Sequence, residues 1–221
     1  MDPRAGADLS RTWALVPIRG LESAKTRLGG DLDAEERRDL VVDLLRRTLR
    51  ATRDAAGIAG TIVVTMDPEA AGIARDHHAI GLVERAPGLN AAIAAARSVA
   101  VARGATAVVV LPADLPGISA VVVDALLGAS AGSGPGRAEE DGDAGLVALV
   151  TDQHESGTNA LLISPPSLID PLFGPGSRKL HRAAAADAGA MFVELEGPLT
   201  LDVDTPDDLA VAEATLGVIH G

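Results

Sequence analysis

The 221-residue chain carries 31 acidic and 19 basic side chains, a formal charge of −12, and 47% hydrophobic but only 1% aromatic residues. That hydrophobic share excludes disorder, the acidity argues against a polyanion-binding surface, and the scarcity of rings argues against base stacking on single-stranded nucleic acid. Cysteine is absent, so disulfides, thiolate catalysis and cysteine-ligated zinc are ruled out.

The expected organisation is one α/β domain over residues 1–221, with a frayed start over 1–11. No apolar run approaches the roughly 18 residues of a membrane span, and no signal core opens the chain, so a cytoplasmic protein is expected. Thr12 to Ile18 reads as a first strand. Asp33 and Glu36 have the spacing of a capping box, and Leu40, Val41, Leu44, Leu45, Thr48 and Leu49 then repeat at helical spacing. Thr61 to Thr65 predicts a second strand, Pro68 the first turn of a short helix, and Ala79 to Glu84 a short third strand. Gly88-Leu-Asn90 leads into an alanine-rich helix reaching about Arg103.

Ala107 to Leu111 is an unbroken apolar run rich in Val, the pattern of a strand buried on both faces. Pro112 ends it, and a helix is expected over Ser119 to Leu127. Ala129 to Gly145 loses all apolar periodicity and reads as a mobile acidic loop. Gly145 to Thr151 and Ala160 to Ser164 follow as strands joined by a polar turn containing Gly157-Thr158-Asn159. A helix over Arg178 to Asp187, a strand over Ala190 to Leu195 and a short last strand over Leu199 to Val203 are expected next. Thr205-Pro206-Asp207-Asp208 caps a terminal helix. Strand–helix alternation in the first half favours a parallel sheet, and the closely spaced later strands predict at least one antiparallel member.

Four stretches carry candidate chemistry. Asp114 stands just past the central strand, at the carboxyl edge where open α/β sheets bind ligands. In Leu201-Asp-Val-Asp204, residues two apart in extended chain share a face, so Asp202 and Asp204 can present carboxylates together. Three converging acids suit a hard divalent cation such as Mg²⁺. Lys25 and Arg27, after the first strand, offer local positive charge for a triphosphate, although the loop lacks the GxxxxGK[ST] pattern. Ser177-Arg-Lys-Leu-His-Arg182 places basic groups, His181 among them, on a helix start behind a Gly-Pro-Gly turn, a candidate anion site. His77, His78, His154 and His220 show no metal-ligand spacing and are expected at the surface.

Five motifs in order, Ser23-Ala-Lys-Thr-Arg-Leu28, Gly88-Leu-Asn90, Pro112-Ala-Asp-Leu-Pro116, Phe173-Gly-Pro-Gly-Ser177 with His181, and Asp202-Val-Asp-Thr-Pro206, carry a resemblance. From about Ala14 to Leu216 the chain resembles the phospholactate/phosphoenolpyruvate guanylyltransferases of coenzyme F-420 biosynthesis, relatives of the molybdenum-cofactor guanylyltransferases. The resemblance implies a Rossmann-like nucleotidyltransferase fold, with a mixed, mostly parallel central sheet flanked by helices. It implies transfer of GMP from GTP to phosphoenolpyruvate or 2-phospho-L-lactate with release of pyrophosphate. It also implies Mg²⁺ on Asp114, Asp202 and Asp204, acceptor contacts at Thr158, Gly174, Ser177 and His181, and nucleotide contacts at Lys25, Arg27 and Asn90. The expected partners are GTP and a phosphorylated three-carbon acid, without nucleic acid or membrane; a homodimer is left open. The alternatives are a related enzyme of molybdopterin or cytidylyl type, whose glycine-rich first loop is poorly represented here, and a nucleotide-binding domain without turnover.

Overall fold

The computed structural model of the chain describes residues 7–22, 32–85, 88–132 and 145–216. Its strands form one seven-stranded sheet. In chain order the elements are β1 (Thr12–Pro17), α1 (Ala34–Asp54), β2 (Ile58–Thr65), α2 (Pro68–Asp76), β3 (Ile80–Val83), α3 (Leu89–Ala102) and β4 (Ala107–Val110). They continue with α4 (Ala120–Gly132), β5 (Leu146–Val150), β6 (Ala160–Ser164), α5 (Ser177–Asp187), β7 (Met191–Leu195) and α6 (Pro206–Leu216).

The sheet order is β3-β2-β1-β4-β6-β5-β7. β1 pairs in parallel with both β2 and β4, β2 with β3, and β5 with β7; only β6 runs against its neighbours β4 and β5. The expected mixed, mostly parallel sheet is therefore present, and the antiparallel member falls in the half where strands are closely spaced. Helices cover both faces, which is why the central strands are apolar throughout rather than alternating. On one face Ala14, Val109, Leu162 and Ala148 pack with residues of α1 and α4. On the other, Leu15, Val108, Val110, Leu161 and Leu149 pack with Ile93, Ala96 and Ala100 of α3 and Ala185 of α5.

Local signals place most helix starts. Asp33 accepts from the Glu35 and Glu36 amides while Glu36 reaches back to the Asp33 amide, completing the capping box before α1. Asp67 caps α2 with Pro68 at its first turn. Thr205 and Asp208 cap α6 reciprocally: Thr205 Oγ1 accepts from the Asp208 amide, and the Asp208 carboxylate accepts from the Thr205 amide and hydroxyl.

Two expectations are corrected. Leu199–Val203 forms no strand: Pro198–Thr200 is a single 3-10 turn, and after an extended Leu201 the chain joins no sheet ladder. Proline and Gly197, at φ +150, favour that turn over a sheet ladder. The helix expected to end at Leu127 continues to Gly132, because Ala and Ser sustain it past the last large apolar residue. The acidic stretch read as a loop otherwise lies, over 133–144, outside the described residues.

Candidate active site

The parallel strands β1 and β4 aim their carboxyl ends at one edge, and the chain leaving β4 carries Asp114 there. The second acidic segment, 201–204, comes from beyond β7 and runs beside it: the Val203 amide donates to the Asp114 carbonyl at 3.1 Å. Gly117 permits this approach. A Cβ built on it would collide with the Pro198 carbonyl, so the loop after β4 and the 3-10 turn are close enough only for glycine. Arg47 of α1 adds a bond to the Pro116 carbonyl at 3.1 Å.

The result is a cluster. Asp114, Asp202 and Asp204, all half-buried, each bring a carboxylate oxygen to within 4.8 Å of the other two. Two ionised carboxylates that close repel by about 3 kcal/mol at an effective dielectric near 20, so the arrangement favours a cation among them. An all-oxygen donor set suits a hard ion such as Mg²⁺ rather than zinc or copper. Asn159, which sequence reasoning noted only as part of a turn, supports the cluster from below. Its amide Nδ2 donates to the Leu199 carbonyl at 3.1 Å, the Thr200 carbonyl at 2.9 Å and Asp202 Oδ1 at 3.2 Å. No spacing rule foretells that contact, because it joins residues 43 apart in sequence.

Thr158, the residue before Asn159, faces a second corner. Its Oγ1 lies 3.1 Å from Ser177 Oγ at the start of α5 and 3.1 Å from His181 Nδ1, one helical turn further on. The other ring nitrogen, His181 Nε2, accepts from the Leu172 amide at 2.9 Å. His181 is fully buried and meets the Phe173 ring edge-on at 5.2 Å, and burial pushes its pKa down to about 4. Ser177 is 1% exposed and Thr158 8%, so Thr158 is the least covered of the trio and the imidazole is closed off from solvent. His181, which the resemblance implies at the acceptor, is fully buried and bonds to Thr158 Oγ1.

Gly174 sits in the turn before α5 at φ +128, and a Cβ built there meets nothing within 4 Å. Asn90 fixes that turn: its Oδ1 accepts from the Phe173 amide at 2.8 Å and its Nδ2 donates to the Phe173 carbonyl at 3.0 Å. Its amide thus braces the turn that leads to Ser177; a nucleotide contact at Asn90 is what the resemblance implies. The basic run at the helix start is also largely committed. Arg178 and Arg182 both pair with Glu194 on β7, Arg178 reaches Glu155 as well, and Arg182 lies over the Phe192 ring at 5.2 Å. The Ser177, Arg178 and Lys179 amides already donate to the Gly174, Ser156 and Gly176 carbonyls. What this corner offers an anion is hydroxyl, not guanidinium. Lys25, Arg27 and His220 lie outside the described residues.

A family model described as guanylyl transferase CofC like matches residues 12–216. The chain belongs to that guanylyl transferase family. Curated relatives agree: a phosphoenolpyruvate guanylyltransferase of Sphaerobacter thermophilus is 39% identical over 90% of both chains. One of Rubrobacter xylanophilus is 41% identical over 93% of this chain and 95% of its own. This guanylyl transferase family member is thus a nucleotidyltransferase. Its fold is shared more widely. A protein of Desulfovibrio desulfuricans assigned as a nucleotide-diphospho-sugar transferase superposes with TM-score 0.72 at 16% identity, covering 93% of this chain and 87% of that one. The 4-diphosphocytidyl-2C-methyl-D-erythritol synthase of Anaerococcus prevotii gives 0.62 at 12% identity over 96% and 98%. The sheet is that of Rossmann-like nucleotidyltransferases. Among the described residues no helix is long and apolar enough to cross a membrane.

Proposed function

We propose that the chain transfers GMP from GTP to phosphoenolpyruvate or 2-phospho-L-lactate, releasing pyrophosphate, as a step of coenzyme F-420 biosynthesis. The observation that carries this reading is the meeting of Asp114, Asp202 and Asp204 beside the hydroxyl corner of Thr158 and Ser177, in a chain about 40% identical to phosphoenolpyruvate guanylyltransferases. The acceptor's phosphate is already an anionic nucleophile at neutral pH, so the site needs no general base. One acceptor phosphate oxygen forms a bond to the α-phosphorus of GTP. The bond from that phosphorus to the bridging oxygen breaks in line, and the electron pair leaves with pyrophosphate. Most of the work is bringing two polyanions together in that alignment.

The three aspartates fit Mg²⁺, which when bound would screen the acceptor's negative charge. Thr158, Ser177 and the Gly174 turn orient the acceptor's phosphate and carboxylate. Lys25 and Arg27, assigned from the sequence, stabilise the departing pyrophosphate. Incubating the protein with GTP and Mg²⁺, and with phosphoenolpyruvate, 2-phospho-L-lactate or 3-phosphoglycerate in turn, tests the reading. Pyrophosphate is expected with one of the first two acceptors; its absence with both, or equal release when CTP replaces GTP, overturns it.

A further inference from the structure

We infer that His181 is a positioning residue whose tautomer, set by the Leu172 amide, obliges the Thr158–Ser177 hydroxyl pair to offer a proton outward to the acceptor's anionic oxygen. The inference rests on the reading of that corner as the acceptor site. It follows from counting protons. A neutral imidazole carries one N–H, and its unprotonated nitrogen accepts. Nε2 accepts from the Leu172 amide at 2.9 Å, so the proton is on Nδ1. Nδ1–H therefore donates to Thr158 Oγ1 at 3.1 Å.

Thr158 and Ser177 then hold two hydroxyl protons, and the single bond between them consumes one. With the more deeply buried Ser177 donating to Thr158, both Thr158 lone pairs are filled and its own proton points away from the cluster; with the bond reversed, the proton left over is that of Ser177. Thr158 is also the more exposed of the two. The opposite tautomer reverses the corner. With Nδ1 unprotonated, Thr158 donates inward and Ser177 donates to Thr158, leaving only lone pairs to face an anion. One backbone amide thus decides whether the pocket wall attracts or repels a phosphate or carboxylate. Burial supports this by keeping the ring out of its doubly protonated form at neutral pH.

His181→Gln and His181→Asn separate positioning from packing. Glutamine places its amide near Nε2 and asparagine near Nδ1, so the first keeps a partner for the Leu172 amide and the second keeps a donor for Thr158. KM for phosphoenolpyruvate and for GTP and the melting temperature are measured for both, beside Thr158→Val. H181Q is expected to raise the phosphoenolpyruvate KM about tenfold, leave the GTP KM unchanged and melt near the wild type. H181N is expected to melt earlier while holding the phosphoenolpyruvate KM close to normal. Changes in KM that merely track melting temperature across the two variants overturn the inference. A normal KM in H181Q beside an impaired T158V overturns the positioning role alone, and a normal KM in T158V overturns the acceptor reading together with it. Long-range ¹H–¹⁵N spectra of the wild type need no variant to fold. The ring that resists protonation down to about pH 4 must show Nδ1 protonated, and an Nε2–H pattern overturns the inference.

Discussion

The two corners of the site are built by opposite means. The acidic corner gathers three half-buried carboxylates from loops nearly ninety residues apart, with a backbone bond and one asparagine among the contacts that hold it. The hydroxyl corner is neutral and nearly dry, and its imidazole joins the hydroxyl pair on one side and the Leu172 amide on the other. One is an all-oxygen donor set of a kind that suits a hard cation; the other is closed on itself by hydrogen bonds. They meet at Thr158 and Asn159, consecutive residues before β6 that serve one corner each.

The contrast breaks most visibly at Asp114. Asp114→Asn is expected to lower turnover by at least about a thousandfold, corresponding to roughly 4 kcal/mol of lost transition-state stabilisation. In chelator the variant should melt close to the wild type, because asparagine matches aspartate in shape and leaves the bond from the Val203 amide to the carbonyl of residue 114 in place. Near-normal turnover would remove Asp114 from the mechanism, and early melting would make it a structural residue. The second test adds the ion. If Mg²⁺ binds the three acids, saturating Mg²⁺ should raise the wild-type melting temperature by roughly 5 °C and chelator should reverse it, while Asp202→Asn shows little response. An equal shift in both proteins would place the ion elsewhere.

How far the sequence discloses these corners differs for a physical reason. Both acid positions are legible because each follows an element end: Asp114 an apolar strand, Asp202 and Asp204 a segment running into a capped helix. The segment is misread as a strand, yet its two acids still meet, with Asp114, in one cluster. The seven-stranded order, Asn159 under Asp202 and Asn90 on Phe173 are not legible, since each is a contact across the fold with no local periodicity. His181 is visible as a residue but not as a buried one. Its neighbours Arg178 and Arg182 suggest an exposed basic face, and only the pairing of both with Glu194 shows that face to be occupied.

Asn159 tests whether the corners are coupled. Asn159→Ala deletes three contacts at once, two of them to carbonyls of the 3-10 turn. A loss of about 1–3 kcal/mol in stability and about tenfold in turnover is expected, with the phosphoenolpyruvate KM rising only modestly. Denaturant melts and steady-state kinetics check this. A KM effect as large as the turnover effect would mean that the asparagine supports Thr158 as much as Asp202, and that the two corners act as one unit.

The smallest effect on turnover belongs to the hydroxyl corner's response to acid, which is a matter of stability. His181 titrates near its ordinary 6.5 in the unfolded chain but at about 4 in the folded one. Between those values the unfolded state takes up a proton that the native state refuses, so stability falls as pH drops through this window and the contribution levels off below it. By pH 5 the loss is about 2 kcal/mol relative to pH 7. His181→Asn has no such proton to take up. Urea midpoints of the two proteins should therefore converge from pH 7 to pH 5, with the wild type losing its lead, while neither acceptor KM changes between pH 7 and 8 on this group's account. Parallel loss in both proteins would mean that the imidazole is not held neutral by burial, and the contrast between a charged corner and a neutral one would lose its physical basis.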